Sequence, residues 1–198
     1  MNRKIQAFFD GHAPNWDGMI PPECVARLRD MMGLLDIAEG DRVLDVGTGT
    51  GVLLELLAPR VGAGGCVAAI DLSIEMLRIA NSKHATGTCL QADALALPFP
   101  EPCFDWAICY SVFPHFNDQR EALRQLSSVI EPRGHLVVCH SQSRDAINEL
   151  HRNVGDVVGG HCLPEDEEMR AMIRQAGLRL VRFDSLDDRY LVLAVRDA

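Results

Sequence analysis

Basic residues are scarce relative to acidic ones in this 198-residue sequence, which contains 19 Lys and Arg, 28 Asp and Glu, and a formal net charge of −9. Affinity for nucleic acids depends largely on Lys and Arg side chains that neutralise phosphates. A chain of this charge would repel DNA and RNA. We therefore expect no nucleic-acid partner or substrate.

Long apolar runs are also missing. No run approaches the roughly 20 apolar residues that span a bilayer, and the first residues, MNRKIQAFFDGHAP, contain no apolar stretch of signal-peptide length. These absences predict a protein with no membrane span and a cytoplasmic location.

The seven cysteines form no CxxC pair, and their odd number argues against a disulfide framework. Apolar, strand-like runs surround most of them, which indicates reduced thiols that pack as small hydrophobic residues in the core. These core cysteines are Cys66, Cys89, Cys109 and Cys139. Cys162 lies in a loop beside His161, and its role stays open.

Short apolar runs alternate with helical patterns along most of the chain, as in βαβ units that form a parallel sheet covered on both faces. We predict an α/β fold with a single doubly wound, Rossmann-like sheet that is mostly parallel, in one domain over residues 1–198. The predicted strands are Arg42–Val46, Cys66–Asp71, Thr88–Gln91, Asp105–Cys109 and His135–His140.

The helices between these strands have recognisable ends. Ser73 caps one helix, Asn117 or Asp118 caps another, and Pro132 to Gly134 supplies the stop before the fifth strand. Another helix runs from the glycine turn after the first strand to Pro59. Ser143 caps the helix that contains His151.

The two ends of the chain differ from this pattern. LRLVRFD and RYLVLAVRD predict a closing antiparallel hairpin. Residues 1–36, with an amphipathic helix over Pro22–Leu35, form a predicted N-terminal helical cap, and residues 141–165 form a substrate-side helix followed by a lid at Gly155–Pro164.

The strongest local signal is VLDVGTGTG at residues 43–51, a strand that leads into a glycine turn at the head of a helix. Glycines let a backbone approach a ligand closely and adopt positive φ. Asp71 ends the second strand and Asp93 follows the third, so both face the same crevice as Asp45 and Gly47. A tight turn and helix caps account for each residue singly, but three carboxylates at three successive strand ends favour a nucleoside site.

A nicotinamide dinucleotide fits this pattern poorly. Its fingerprint needs a third glycine where Val52 stands, and a dehydrogenase would usually need a second domain for which few residues remain. The charge of Asp45 would oppose a pyrophosphate but favour the ammonium and sulfonium groups of S-adenosylmethionine.

Together these segments resemble the class I S-adenosylmethionine-dependent methyltransferases, and especially the subgroup that includes ubiquinone and menaquinone methyltransferases. The resemblance spans nearly the whole chain, and the hairpin matches the antiparallel strand that closes the sheet in this family. The matching segments are VLDVGTGTG, AIDLSIEML, QADALALPF, FDWAICYSVFPHF and LSSVIEPRGHLVV.

The resemblance implies that S-adenosylmethionine is the cofactor and assigns roles to individual residues. The methionine portion would lie on the glycine turn near Asp45, Asp71 would bind the ribose, and the exocyclic amine of the adenine would donate to Asp93. Trp16 and Asp17 correspond to an aromatic residue and an Asp that close over the cofactor in some relatives. The predicted cofactor contacts are Asp45, Gly47, Thr48, Gly49, Asp71, Leu72, Met76, Asp93, Ala94 and Tyr110. Leu72 and Met76 also fit simple core positions.

Histidines concentrate in the regions that hold the acceptor in this family. His115 follows the fourth strand, His140 ends the fifth strand, and His151 lies on the next helix. Each is a candidate for the general base that takes the acceptor's proton, with His140 ranked first because it ends a central strand. His12 lies in the N-terminal segment.

These histidines also fit two different roles. They are polar lining of the pocket or surface residues, or a transition metal is bound by two or three members of the set His115, His140, His151, His161 and Cys162. No pair has the compact spacing of a metal motif, so we predict no metal site.

Methyl transfer requires little beyond alignment of the reactants, so O-, N-, S- and C-methylation of a small molecule all stay open. No Asn-Pro-Pro-aromatic motif occurs, which disfavours nucleic-acid methylation again. Phe8, Phe9, Phe113 and Phe116 would suit an apolar ring, as in a quinone-type C-methyltransferase. A regulatory module that binds the cofactor without catalysis is the remaining alternative. No motif specifies an oligomeric state.

The first prediction concerns the ligand. The purified protein should bind S-adenosylmethionine and S-adenosylhomocysteine but not NAD, because Val52 and Asp45 both disfavour the dinucleotide. Calorimetry measures all three affinities. Tight binding of NAD without a response to S-adenosylhomocysteine would contradict this assignment.

Overall fold

The structure is a computed structural model that describes residues 3–84, 87–100, 102–155 and 157–198. Residues 1 and 2 of the predicted N-terminal cap and residue 156 of the predicted lid lie outside the described residues.

Seven strands form one sheet within these residues, in the order β3-β2-β1-β4-β5-β7-β6. Strands β1 to β5 pair with one another in parallel, and β7 lies antiparallel between β5 and β6. The predicted α/β class and the antiparallel C-terminal hairpin are thereby confirmed. The strands are β1 Arg42–Val46, β2 Cys66–Asp71, β3 Thr88–Gln91, β4 Phe104–Tyr110, β5 Ile130–His140, β6 Leu178–Ser185 and β7 Tyr190–Arg196.

Three helices begin at capping side chains that the sequence predicts. Ser73, Asp118 and Ser143 each accept a hydrogen bond from the backbone N–H three residues later. None of the helices in the described ranges is long and apolar enough to cross a bilayer. The helices are α1 Arg3–His12, α2 Trp16–Met19, α3 Pro22–Met32, α4 Val52–Val61, α5 Ile74–Lys83, α6 Gln119–Val129, α7 Arg144–Val154 and α8 Asp166–Gln175.

The central strands pack against helices on both faces of the sheet. Successive side chains of a strand point to opposite faces, so along β4 Trp106 and Ile108 join one core cluster while Ala107 and Cys109 join the other. The first cluster contains residues of α3 and α4, and the second contains residues of α6 and α8. This burial on both faces explains why the strands are apolar throughout.

The predicted stop after α6 is displaced. The helix ends at Val129, and β5 begins at Ile130 and includes the Pro132–Gly134 segment. A proline disfavours helix in the residue before it, and Arg133 has a φ of 68°, so the chain leaves the helix earlier. The Arg196 guanidinium donates to the carbonyl oxygens of residues 127, 128 and 130 at this end. Helix α4 continues past Pro59 to Val61.

All seven cysteines are free thiols, and Cys109 and Cys139 are buried as predicted. The expectation that Cys66 belongs to the core is wrong, because it is the first residue of β2 and is exposed. Cys89 is half-buried on β3, at the sheet edge.

Parallel strands bring their carboxyl ends to one edge of the sheet, where open α/β sheets bind ligands. Val46, Asp71, Tyr110 and His140 end β1, β2, β4 and β5, and all four lie at this edge. The fold therefore brings the glycine turn, the carboxylates and the histidines to one crevice.

Candidate active site

A cavity of about 350 Å³ lies at this edge of the sheet, which is within the range of about 300 to 1,000 Å³ for small-molecule sites. Every predicted site residue except Asp45 lines it. The predicted residues in its wall are Gly47, Thr48, Gly49, Asp71, Leu72, Met76, Asp93, Ala94, Tyr110, His115, His140 and His151.

The glycine turn after β1 uses its N–H groups within the protein. Gly47 N and Thr48 N both donate to the Ile70 carbonyl oxygen, at 2.8 and 3.0 Å, and Gly49 N donates to the Asp71 carboxylate at 2.8 Å. Gly47 has a φ of 69°, and a Cβ there would lie 2.3 Å from Val112 Cγ2. The turn therefore does not offer these N–H groups to a pyrophosphate, as dinucleotide-binding turns do.

Asp71 joins this turn to the start of α5. Its Oδ2 accepts from Gly49 N and its Oδ1 accepts from Ser73 N, each at 2.8 Å. Burial raises the pKa of Asp71, although the backbone hydrogen bonds oppose the rise. Each carboxylate oxygen has a second lone pair, so both oxygens could still accept a hydroxyl.

Asp45 is placed differently from the expectation that it lines the site. Its side chain lies below the turn, 1% exposed, where its Oδ2 accepts from the Thr48 hydroxyl at 2.7 Å. Burial, with a smaller effect of the nearby Asp71 charge, raises the pKa of Asp45 to about 7 despite the Thr48 hydrogen bond. Two acidic groups this close favour a cation in the cavity above them.

The remaining cofactor candidates lie after β2 and β3. Met76 is only 1% exposed, so it is a core residue that also forms part of the cavity wall. Asp93 accepts from Leu95 N at 3.0 Å through Oδ1, which shapes the turn that presents Ala94.

The N-terminal helices cover the half of the cavity that is lined by the glycine turn, Asp71 and Asp93, and Phe8, Phe9 and Trp16 form part of its wall. Asp10 accepts from the Ser73 hydroxyl at 2.5 Å, and Asp17 accepts from the Thr50 hydroxyl at 2.5 Å. Sequence reasoning missed Asp10, because an acidic residue on an amphipathic helix has no distinguishing signal. Asp17 holds the helix in place but does not line the cavity.

Residues after β4 and β5 form the other half. The Tyr110 hydroxyl and Ser141 Oγ are hydrogen-bonded at 3.0 Å. Ser111, with a φ of 54°, turns the chain directly after β4, and strained backbone of this kind often occurs at functional sites. No sequence signal marks Ser111 or Ser141.

His140 lines this half with a ring that is 1% exposed. Neither of its nitrogens has a hydrogen-bond partner among the described residues. Burial, with a smaller effect of His151, lowers the pKa of His140 to about 3, so the ring is neutral near pH 7. A buried polar side chain without a partner is rare and costly.

His115, His151 and His161 lie against one another beside His140. His115 Nδ1 is 3.1 Å from His161 Nδ1, and His151 Nδ1 is 2.6 Å from the His161 carbonyl oxygen. Burial, together with the neighbouring histidines, lowers the pKa of His115 well below its usual range. Within the described ranges, no three His, Cys, Asp or Glu side chains are placed to hold a metal ion.

Apolar side chains surround the cavity, with one correction. Phe8, Phe9 and Phe116 line it as expected, but Phe113 is fully buried in the core because the short 3₁₀ turn Phe113–His115 directs it inward. Met19, Leu150 and Val154 also line the cavity although they are 56%, 49% and 50% exposed, which places them at its mouth.

The sequence has clear relatives. Residues 44–138 match the Methyltransferase domain family. The chain is 44% identical over 171 residues to a demethylmenaquinone methyltransferase from Thermus thermophilus, covering 73% of this chain and 77% of that one. It is 32% identical over 173 residues to the ubiquinone/menaquinone biosynthesis C-methyltransferase of Methylococcus capsulatus, covering 81% and 68% of the two chains.

Solved structures share the fold at lower identity. A SAM-dependent methyltransferase from Aquifex aeolicus superposes with a TM-score of 0.74 at 22% identity, over 93% of this chain and 98% of that one. The protein solved in complex with the Haloferax volcanii Trm112 methyltransferase activator gives a TM-score of 0.84 at 19% identity, over 96% and 98% of the chains.

The second prediction concerns Asp71. Asp71→Ala should weaken binding of S-adenosylhomocysteine by about 1.5 to 3 kcal/mol, or about tenfold to a hundredfold, because hydrogen bonds to a charged group are lost. Asp93→Ala should cost less. Asp105→Ala is the control, since that carboxylate binds Arg42 and is not part of the cavity wall. Unchanged affinity in Asp71→Ala, measured by calorimetry, would refute the ribose assignment.

The third prediction is a pH dependence from Asp45, whose pKa is raised to about 7 in the free protein. A bound cation favours the ionised carboxylate, so affinity for S-adenosylhomocysteine should be lost as the pH falls through this pKa, by up to about tenfold per pH unit. Calorimetry between about pH 6 and 7.5 tests this. Asp45→Asn should remove the dependence, and an equal slope in both proteins would assign it to another group.

Proposed function

Because the chain belongs to the class I S-adenosylmethionine-dependent methyltransferases and resembles their ubiquinone and menaquinone methyltransferase subgroup, we propose that it methylates a small, largely apolar acceptor through a proton-bearing polar group. It is an enzyme, and S-adenosylmethionine is its cofactor. The identity of the acceptor, and the roles of individual residues toward it, are the content of the proposal.

Asp71, Asp93 and the glycine turn would hold the cofactor. Asp71 would accept from the ribose hydroxyls, Asp93 from the adenine amine, and Leu72 with Met76 would pack on the ring. The N–H groups of Gly47, Thr48 and Gly49 already donate within the protein. The carbonyl oxygens of the turn would therefore contact the cationic methionine portion, and the charge of Asp45 below the turn would compensate it. Tyr110 would contact the methionine portion from β4.

S-adenosylmethionine supplies a methyl group already activated by the sulfonium. The chain itself then has to align the acceptor, exclude water and accept a proton. We propose that the N-terminal cap of residues 1–36 provides the cover, through α1 and α2, and that residues 141–165 form the acceptor side within the same domain of residues 1–198.

The observation that supports the acceptor class best is the unpartnered His140 ring in the wall of a cavity that also contains aromatic and aliphatic side chains. An acceptor with one hydroxyl, amine or thiol would supply the missing hydrogen bond, while Phe8, Phe9 and the mouth residues would hold its apolar part. Leu150 and Val154 remain half exposed at the mouth, as expected for a surface that an apolar molecule covers.

We place the proton on His115 rather than on His140, which the sequence ranks first, although burial lowers the pKa of both rings. A proton on His140 would be a buried charge without a partner among the described residues, whereas His115 has a ring nitrogen bonded to His161. We therefore propose that His115 takes the proton of the methyl acceptor. His140 would orient the methyl acceptor, and His151 would make a further hydrogen bond to it.

Quinone-type C-methylation is the second candidate, favoured by the names of the relatives and by the apolar wall. A reduced quinone has a hydroxyl whose deprotonation makes the neighbouring ring carbon nucleophilic, so the same histidines would serve it. The position of the new methyl group distinguishes this candidate from methylation of the hydroxyl oxygen.

The fourth prediction concerns turnover. A panel of reduced naphthoquinols, phenols, amines and thiols is tested as methyl acceptors, and formation of S-adenosylhomocysteine is the measurement. At least one apolar acceptor should turn over. With that acceptor as substrate, His115→Ala should lower kcat about a hundredfold because the base is lost. His140→Ala should mainly raise the KM for the acceptor, by about tenfold. Affinity for S-adenosylhomocysteine should be unchanged in both variants.

Two results would overturn the proposal. Tight cofactor binding without turnover of any acceptor would favour the regulatory module, and turnover confined to strongly polar acceptors would exclude the apolar class.

A further inference from the structure

His161 contacts two of the cavity histidines with two different groups. Its ring Nδ1 is 3.1 Å from His115 Nδ1, and its backbone carbonyl oxygen is 2.6 Å from His151 Nδ1. His161 itself is half-buried and lines a separate outer cleft rather than the main cavity. It therefore lies behind the two histidines as seen from the cavity.

The carbonyl contact determines the tautomer of His151. A carbonyl oxygen only accepts hydrogen bonds, so His151 Nδ1 must be protonated, and its Nε2 bears a lone pair while the ring is neutral. Burial lowers the pKa of His151, against the effect of this hydrogen bond, so the neutral ring prevails near pH 7.

The ring contact allows two arrangements. In a pair of neutral imidazoles, one Nδ1 donates and the other accepts. If His115 donates, its Nε2 has a lone pair and can take a proton. If His115 accepts, its Nε2 already bears a hydrogen and cannot act as a base.

The loop that presents His161 is anchored to both neighbouring helices. The Gln119 side chain at the start of α6 donates to the Cys162 carbonyl oxygen at 2.9 Å. Asn148 on α7 both donates to the Leu163 carbonyl oxygen, at 3.1 Å, and accepts from Leu163 N, at 2.7 Å. These bonds anchor the backbone of the two residues that follow His161, and none of them involves the His161 ring.

We propose that His161 is a positioning residue whose ring accepts from His115 Nδ1–H, so that His115 presents an unprotonated Nε2 to the acceptor. This inference rests on the proposed role of His115 as proton acceptor. As the acceptor atom bonds to the methyl carbon, the methyl–sulfur bond breaks and its electron pair stays on sulfur. The acceptor's proton goes to His115 Nε2, and the resulting imidazolium keeps its Nδ1–H bond to His161.

The fifth prediction is a tautomer measurement that requires no acceptor. Long-range ¹H–¹⁵N correlation spectra of the full chain with ¹⁵N-labelled histidine, near pH 7.5, distinguish protonated from unprotonated ring nitrogens. His115 should have Nδ1 protonated and Nε2 unprotonated. His161→Ala should shift His115 to the Nε2-protonated tautomer, while His151 stays unchanged because its partner is a backbone carbonyl.

His161→Asn is the matched control, because the Asn side-chain oxygen can occupy the position of Nδ1 and still accept from His115. It should keep the tautomer found in the unmodified protein. If His151 also changes in His161→Ala, the loop has moved, and His161→Asn alone then decides. An Nε2-protonated His115 in the unmodified protein or in His161→Asn would overturn the proposal.

The kinetic arm uses an acceptor identified by the panel. His161→Ala should lower kcat about tenfold to a hundredfold with unchanged affinity for S-adenosylhomocysteine, and His161→Asn should restore kcat to within about threefold. A loss of kcat that Asn does not rescue would contradict the tautomer assignment. If no acceptor turns over, the proposed function fails while the spectra still decide the role of His161.

Discussion

Two backbone N–H groups, from Gly49 and Ser73, donate to the half-buried carboxylate of Asp71 and so join the turn after β1 to the first turn of α5. The part of the cavity that we propose binds the cofactor depends on this arrangement. The glycine turn can follow its path only because Gly47 has no side chain to collide with Val112. The Ser73 hydroxyl in turn donates to Asp10, which brings α1 over the cavity. One carboxylate thereby organises the turn, the helix and, indirectly, the cover.

In the proposed function, charge gives this half its selectivity for a cationic cofactor over an anionic one. The N–H groups that a pyrophosphate would need are engaged by the Ile70 carbonyl and by Asp71, and Asp45 lies below the turn with a raised pKa. Because burial raises the pKa of this carboxyl group, a nearby cation stabilises its ionised form and favours loss of its proton. The ammonium and sulfonium of S-adenosylmethionine meet this requirement, and an anionic dinucleotide does not.

The half of the cavity that we propose binds the acceptor, which residues after β4 and β5 line, differs in its chemistry. Its wall combines apolar side chains with hydroxyl groups and with histidines whose pKa burial lowers. Neutral imidazoles present one donor and one acceptor each, so their chemistry depends on which nitrogen is protonated. The contacts that His161 makes with His115 and His151 behind the cavity therefore bear on which of their ring nitrogens is protonated.

The sequence by itself determined the α/β class, the strand boundaries around the glycine turn, and the grouping of Gly47, Asp71, Asp93 and His140 at one crevice. These follow from a one-dimensional pattern, because parallel strands always bring their carboxyl ends to the same edge. Only the tertiary structure decided that Asp45 lies beneath the turn, that Phe113 points inward and that Cys66 is exposed. It also decided that His161, on a loop, contacts His115 and His151. That contact depends on how α6 and α7 pack and on the side chains that anchor the loop to them, and no local spacing in the sequence encodes either.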